Sequence, residues 1–163
     1  MIFVTLGSQK FQFNRLLQEL DSIVEKNTIQ DEIFAQIGYS DYKPKNFQYK
    51  EFVDRDEFKE IMQESDIVIA HGGTGAIITA VKQGKKVIAI PRLAKYGEHV
   101  DDHQIQLVKE FEESGIIKAV YEMSELANSL QAIHDMQFIE YQSNTENIIC
   151  DIKDFIESSD KKQ

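Results

Sequence analysis

Ile67-Val68-Ile69-Ala70 is an unbroken apolar run of the kind that a parallel sheet buries on both faces. It leads directly into His71-Gly72-Gly73-Thr74-Gly75 and then into a helical pattern carrying Ile77, Ile78 and Val81, which stops near Gly84. Strand, glycine turn and helix in that order constrain the chain more than any other stretch. Adjacent glycines admit positive φ and let a ligand approach the main chain, while a helix start leaves N–H groups unpaired. An anion at such a place gains ~0.3–1 kcal/mol from the helix dipole, and ~2 kcal/mol where the site is partly buried. The turn is neither G-x-G-x-x-G nor a P-loop ending in G-K-[ST], which argues against a dinucleotide cofactor and against a nucleoside triphosphatase. Glycines that merely close a tight turn would give the same letters, so the turn needs support from the rest of the chain.

That support begins with alternation. Ile2–Leu6 reads as a buried strand ended by Gly7-Ser8, followed by a helix with Phe13, Leu16, Leu17, Leu20, Ile23 and Val24 on one face. Strands are expected over Glu32–Ile37, closed by Gly38, and over Phe47–Val53. A helix capped by Asp54 or Asp56 then carries Phe58, Ile61 and Met62. Beyond the glycine turn come strand Val87–Ile90, stopped by Pro91, and a helix with Ile105, Val108 and Phe111 that ends at Gly115. A short strand, Ile116–Val120, follows. Two helical patterns close the chain, one through Met123, Leu126, Ala127, Leu130 and Ile133, the other through Ile148, Ile149, Ile152, Phe155 and Ile156. Strands alternating with helices of this length predict an α/β, Rossmann-like parallel sheet with helices on both faces. The expected organisation is one domain over residues 1–157 and a polar tail over 158–163. In such a sheet, ligands bind beyond the carboxyl ends of the strands, so the loops after Leu6, Ala70 and Ile90 should share one edge.

A net charge of −10 lacks the basic footprint of a general nucleic-acid binder, so a phosphate ligand needs a local site. Lys82, Lys85, Lys86, Arg92 and Lys95 lie in a run without Asp or Glu and are candidates to supply positive charge, although a solvated basic edge would look alike. Cys150 is the one cysteine, which excludes an intrachain disulfide and fits a reducing cytoplasm. The opening residues show no signal peptide, and no apolar run approaches the ~20 residues that cross a bilayer.

Three groups of side chains carry candidate chemistry. His71, at the end of its strand, is placed to donate a hydrogen bond to a phosphate oxygen or to the oxygen leaving a sugar, and is the candidate catalytic group. Gly7 and Ser8 form a second small-residue loop that should face Gly72. Glu98-His99-Val100-Asp101-Asp102-His103-Gln104 follows Arg92 at a helix entry. Its spacing lacks the H-E-x-x-H register of a zinc site, and no metal is expected there. Asp102, His103, Gln104 and Arg92 instead suit sugar hydroxyls, which both donate and accept hydrogen bonds.

Ile2-Phe3-Val4-Thr5-Leu6-Gly7-Ser8-Gln9, Ala70-His71-Gly72-Gly73-Thr74-Gly75-Ala76 and Gly97-Glu98-His99-Val100-Asp101-Asp102-His103-Gln104 together resemble the glycosyltransferase family 28 C-terminal domain. The likeness is to its two-component members, in bacterial exopolysaccharide and capsule synthesis and in eukaryotic dolichol-linked GlcNAc transfer. The resemblance implies the C-terminal, donor-binding half of a GT-B glycosyltransferase that needs no tightly bound metal or cofactor. It implies a diphosphate loop at Gly72, Gly73, Thr74 and Gly75, with His71 before it, and a polar pair, His103 and Gln104, that reads the donor sugar. Phe52 and Val53 match a segment whose backbone holds uracil. Thr79 stands where many relatives have an acidic ribose ligand. The implied ligand is a UDP-sugar. The implied partners are a membrane-anchored acceptor-binding subunit, which would hold the protein at the inner membrane face, and a polyprenyl-diphosphate-linked saccharide. A noncatalytic enhancer of a glycosyltransferase, or a flavodoxin- or receiver-like domain, are the competing expectations.

Overall fold

The structure, a computed structural model, describes residues 1–143. The pattern over residues 148–156 and the expected tail lie outside the described residues. The strands are β1 (Ile2–Thr5), β2 (Ile33–Gln36), β3 (Gln48–Lys50), β4 (Ile67–His71), β5 (Lys86–Ile90) and β6 (Lys118–Ala119). The helices are α1 (Asn14–Glu25), α2 (Arg55–Glu64), α3 (Thr74–Lys82), α4 (His103–Glu113) and α5 (Leu126–Ala132). The strands form one sheet in the order β3-β2-β1-β4-β5-β6. Every pairing is parallel, with Ile2 opposite both Ile33 and Ile67.

Alternation within the apolar strands divides the core in two. Ile2, Val4, Leu6, Ile67, Ile69 and Ile88 pack with Leu16, Leu17 and Leu20 of α1 and Leu126 and Leu130 of α5. Phe3, Val68, Ala70 and Val87 point the other way, onto Met62 of α2, Ile77 and Ala80 of α3, and Val108 of α4. An unbroken apolar run is therefore what a strand with a helix layer on each side requires.

Strand order reverses between β1 and β4. Successive connections leave that point in opposite directions, which opens a crevice at the strands' carboxyl ends. Gly7-Ser8 follows β1 and the glycine turn follows β4, so both border the crevice.

Three elements differ most from expectation, and one of them, β6, keeps only Lys118–Ala119 of the expected Ile116–Val120. The third strand shrinks from Phe47–Val53 to three residues because it is an edge with one neighbour; beyond the regular ladder, Ile37 and Gly38 donate to the carbonyls of Lys50 and Glu51 at 3.0 and 2.8 Å. The pattern beginning at Met123 splits into a short 3-10 turn, Met123–Glu125, and α5. Asp54 is the cap of α2, its Oδ1 accepting from Asp56 N and Glu57 N at 3.0 and 2.9 Å.

Candidate functional site

The glycine turn does not use positive φ. Gly73 has φ −82°, and the left-handed glycines are Gly7, Gly38, Gly84, Gly97 and Gly115. What positions 7 and 73 require is room for a ring. A Cβ on Gly73 would lie 2.3 Å from His71 Nε2, and one on Gly7 would lie 2.8 Å from His71 Cε1. The imidazole is thus held between the two loops of the switch point.

His71 ends β4 opposite Ile90, and its Nδ1 lies 3.4 Å from the Thr5 carbonyl oxygen. A carbonyl only accepts, so Nδ1 carries the proton and Nε2 of the neutral ring presents a lone pair. Burial, assisted by the nearby Arg92 charge, pushes the pKa of His71 down to about 4. The expected donation to a phosphate oxygen therefore needs a second proton on the ring, which an adjacent anion would favour.

The first backbone bond across the start of α3 runs from Ile77 N to Gly73 O at 3.4 Å, and no side chain among the described residues caps the helix. The amides of Thr74, Gly75 and Ala76 are the unpaired donors of that first turn, and all three residues line a cleft of about 590 Å³. A Cβ on Gly75 would meet nothing within 4 Å among the described residues, so this residue presents bare backbone there. Gly7, Ser8, His71 and Gly73 line the same cleft, as do Val53 and Thr79. The Thr79 hydroxyl donates to Gly75 O at 2.7 Å, leaving its oxygen as an acceptor only. Phe52 is outside the lining, stacked edge-on against Tyr39 at 5.2 Å between ring centres.

The residues expected around the sugar are also outside this lining. Arg92 needs correction: its guanidinium is buried, donating from Nη2 to Leu6 O at 2.6 Å and from Nη1 to Phe11 O at 3.3 Å, so it braces the loop after β1 instead of reaching a ligand. Asp102 accepts from Ala94 N at 2.8 Å, and Asp101 from His103 N at 3.0 Å. His103 is exposed at the first position of α4. Gln104 is buried behind Gly72. Glu98, buried, receives Arg15 Nε and Nη2 at 2.6 and 3.1 Å and Leu93 N at 2.9 Å. Among the described residues, no three His, Cys, Asp or Glu side chains gather as a metal site.

The basic run disperses as well. Lys85 donates to Gln63 O and Lys86 to the carbonyls of Ile133 and His134, because β5 begins at Lys86 and the glycine turn lies past the opposite strand ends. The cation that lines the cleft is Arg55, exposed at the start of α2 and without an ion pair among the described residues. Sequence reasoning also missed Thr5, Gln36 and Phe58 in the lining. Gln36 had a usable signal, its place at the carboxyl end of a strand; its Nε2 faces Gly7 O at 3.5 Å and its buried Oε1 has no partner among the described residues.

A six-stranded parallel sheet with helices on both faces is the Rossmann-like architecture of the C-terminal half of GT-B glycosyltransferases. The chain belongs to the family described as "Glycosyltransferase family 28 C-terminal domain", whose model matches residues 1–159. It is similar to the UDP-N-acetylglucosamine transferase subunit ALG13 of Mus musculus, 26% identical over 125 residues that cover 69% of this chain and 10% of that protein. The Homo sapiens counterpart is 25% identical over 121 residues, covering 70% and 10%. The chain thus spans 10% of the length of these curated relatives. In fold it matches a solution NMR structure of ALG13, with TM-score 0.57, 16% identity and coverage of 87% of this chain and 89% of that one. It also matches a crystal structure of Acinetobacter baumannii MurG, with TM-score 0.55, 20% identity and coverage of 82% and 41%.

Proposed function

We propose that this chain binds the diphosphate of a UDP-sugar at the start of α3 and forms the donor half of an inverting glycosyltransferase. The observation that carries the reading is the uncapped first turn of α3, with Gly75 bare, facing a cleft large enough for a nucleotide. Arg55 adds the positive charge that the lysine run does not bring. Family membership and the likeness to UDP-N-acetylglucosamine transferase subunits support a UDP-sugar as donor.

In the transfer, an acceptor hydroxyl attacks the anomeric carbon, the bond from that carbon to the β-phosphate oxygen breaks, and UDP leaves with the electron pair. The helix amides would stabilise charge growing on that oxygen. The base that removes the hydroxyl proton would come from a membrane-anchored, acceptor-binding partner carrying a polyprenyl-diphosphate-linked saccharide, in exopolysaccharide or capsule assembly. This chain would then work at the cytoplasmic membrane face through that partner.

Calorimetric titration with UDP tests the reading. Wild-type protein should bind, and Gly73→Asp, which adds bulk against His71 and a negative charge at the turn, should lower affinity by more than about 100-fold. Unchanged affinity in Gly73→Asp would move the phosphate elsewhere.

A further inference from the structure

Gln104 sits in the first turn of α4, 5% exposed, on the side of Gly72 away from the cleft lining. Its Oε1 accepts two backbone hydrogen bonds, from Gly72 N at 3.1 Å and from Arg92 N at 3.0 Å. Two N–H donors on one atom fix the amide's orientation, since Nε2 in that place would face donors with a donor. The two amides belong to neighbouring strand ends. The β4–β5 ladder finishes at the pair His71 and Ile90, and Gly72 and Arg92 lie just past it. One side-chain oxygen therefore continues the sheet where its own hydrogen bonds stop. The closeness needs a glycine: a Cβ at Gly72 would stand 2.6 Å from Gln104 Cβ.

We propose that Gln104 is a positioning residue for the phosphate turn. By holding Gly72 N it sets where Gly73 and the amides of Thr74, Gly75 and Ala76 stand relative to His71. The inference rests on the diphosphate reading above and adds to it a role that a contact with the donor sugar does not contain. A sugar contact affects only ligands that carry the sugar. A residue acting through Gly72 affects the diphosphate with or without it.

The test uses Q104M, which keeps the length and removes the acceptor, and Q104E, which keeps an oxygen able to accept both amides and removes Nε2. UDP and UDP-GlcNAc are titrated separately into wild-type protein and Q104M. Amide hydrogen exchange at Gly72 and Arg92 is followed by NMR in all three proteins, with thermal unfolding confirming that each is folded. Q104M should weaken UDP and UDP-GlcNAc by the same factor, about tenfold. Exchange at Gly72 should be slow in wild type and Q104E and faster in Q104M. Loss confined to UDP-GlcNAc, or equal Gly72 exchange in wild type and Q104M, overturns the inference. Absence of UDP binding by the wild type overturns the diphosphate reading instead, and Gly72 exchange then decides alone whether Gln104 holds the turn.

Discussion

On the cleft side of the glycine turn, backbone donors stand uncapped and Gly75 faces open space among the described residues, whereas on the α4 side the Glu98 carboxylate, Gln104 Oε1 and two nitrogens each of Arg15 and Arg92 are spent on another part of the chain, with the buried Arg92 Nε left without a partner among the described residues. Both regions hold polar residues at the carboxyl edge of one sheet. What separates them is whether hydrogen-bonding capacity is left over: a ligand site keeps donors in reserve, and a scaffold consumes them. The same distinction assigns the glycines, since Gly72 and Gly73 accommodate Gln104 and His71 while a Cβ on Gly75 would meet nothing within 4 Å among the described residues.

The largest effect expected from this contrast is on stability. Glu98→Ala removes the acceptor of a bidentate pair with Arg15 and leaves Leu93 N without its partner, and should cost about 3 kcal/mol in urea unfolding. A loss below about 1 kcal/mol would show that the α4 side is not the scaffold. Gly75→Ala probes the other side. It should leave stability unchanged or raise it by up to ~1 kcal/mol, because alanine favours the helix, while the added methyl weakens UDP binding about tenfold. Comparable UDP affinity in that variant would mean that the bare face of α3 does not meet the ligand.

The smallest effect is a proton. In the free protein His71 should titrate near pH 4, followed through its imidazole proton resonance, and UDP should move the midpoint upward. A midpoint indifferent to UDP would separate the imidazole from the diphosphate. The sign for stability follows from the lowered pKa: the unfolded chain holds the extra proton first, so the neutral ring's contribution is complete above about pH 6.5 and is lost as pH falls toward 4.

Much of the fold was legible because it is periodic. Ile2–Leu6, Ile67–Ala70 and Val87–Ile90 have the unbroken apolar character that two helix layers impose, and Gly38, Gly84 and Gly115 mark real left-handed turns. The site was legible only where it is local, at the strand-turn-helix around Gly73. Arg92 looked like a ligand-binding cation because nothing in the sequence shows that its guanidinium reaches back to Leu6 O, 86 residues earlier. The role of Glu98 was hidden for the same reason, its partner Arg15 being 83 residues away. Lys85 and Lys86 neighbour the turn in sequence, but α3 carries the chain to the other end of the sheet before β5 begins. Arg55 and Gln36 went unnoticed because their role arises from topology, which places the β2 and β3 ends beside the β1 loop.

The sheet order also governs how the molecule comes into being. β1 lies in the middle of the sheet, yet it is synthesised before either neighbour, and its pairing with β4 spans a separation of 65 residues at the Met1–Asp66 ion pair. On the ribosome α1 can cover its Ile2, Val4 and Leu6 side at once, but its edges must wait, first for β2 and then for β4, and its Phe3 side waits for α2 and α3. The turn between His71 and Gln104 is finished later still, when α4 emerges. A nascent chain would therefore acquire a hydrophobic liability at β1 and lose it only as the later strands and helices arrive, which makes early engagement by a chaperone more useful here than in a domain whose earliest strand lies at a sheet edge.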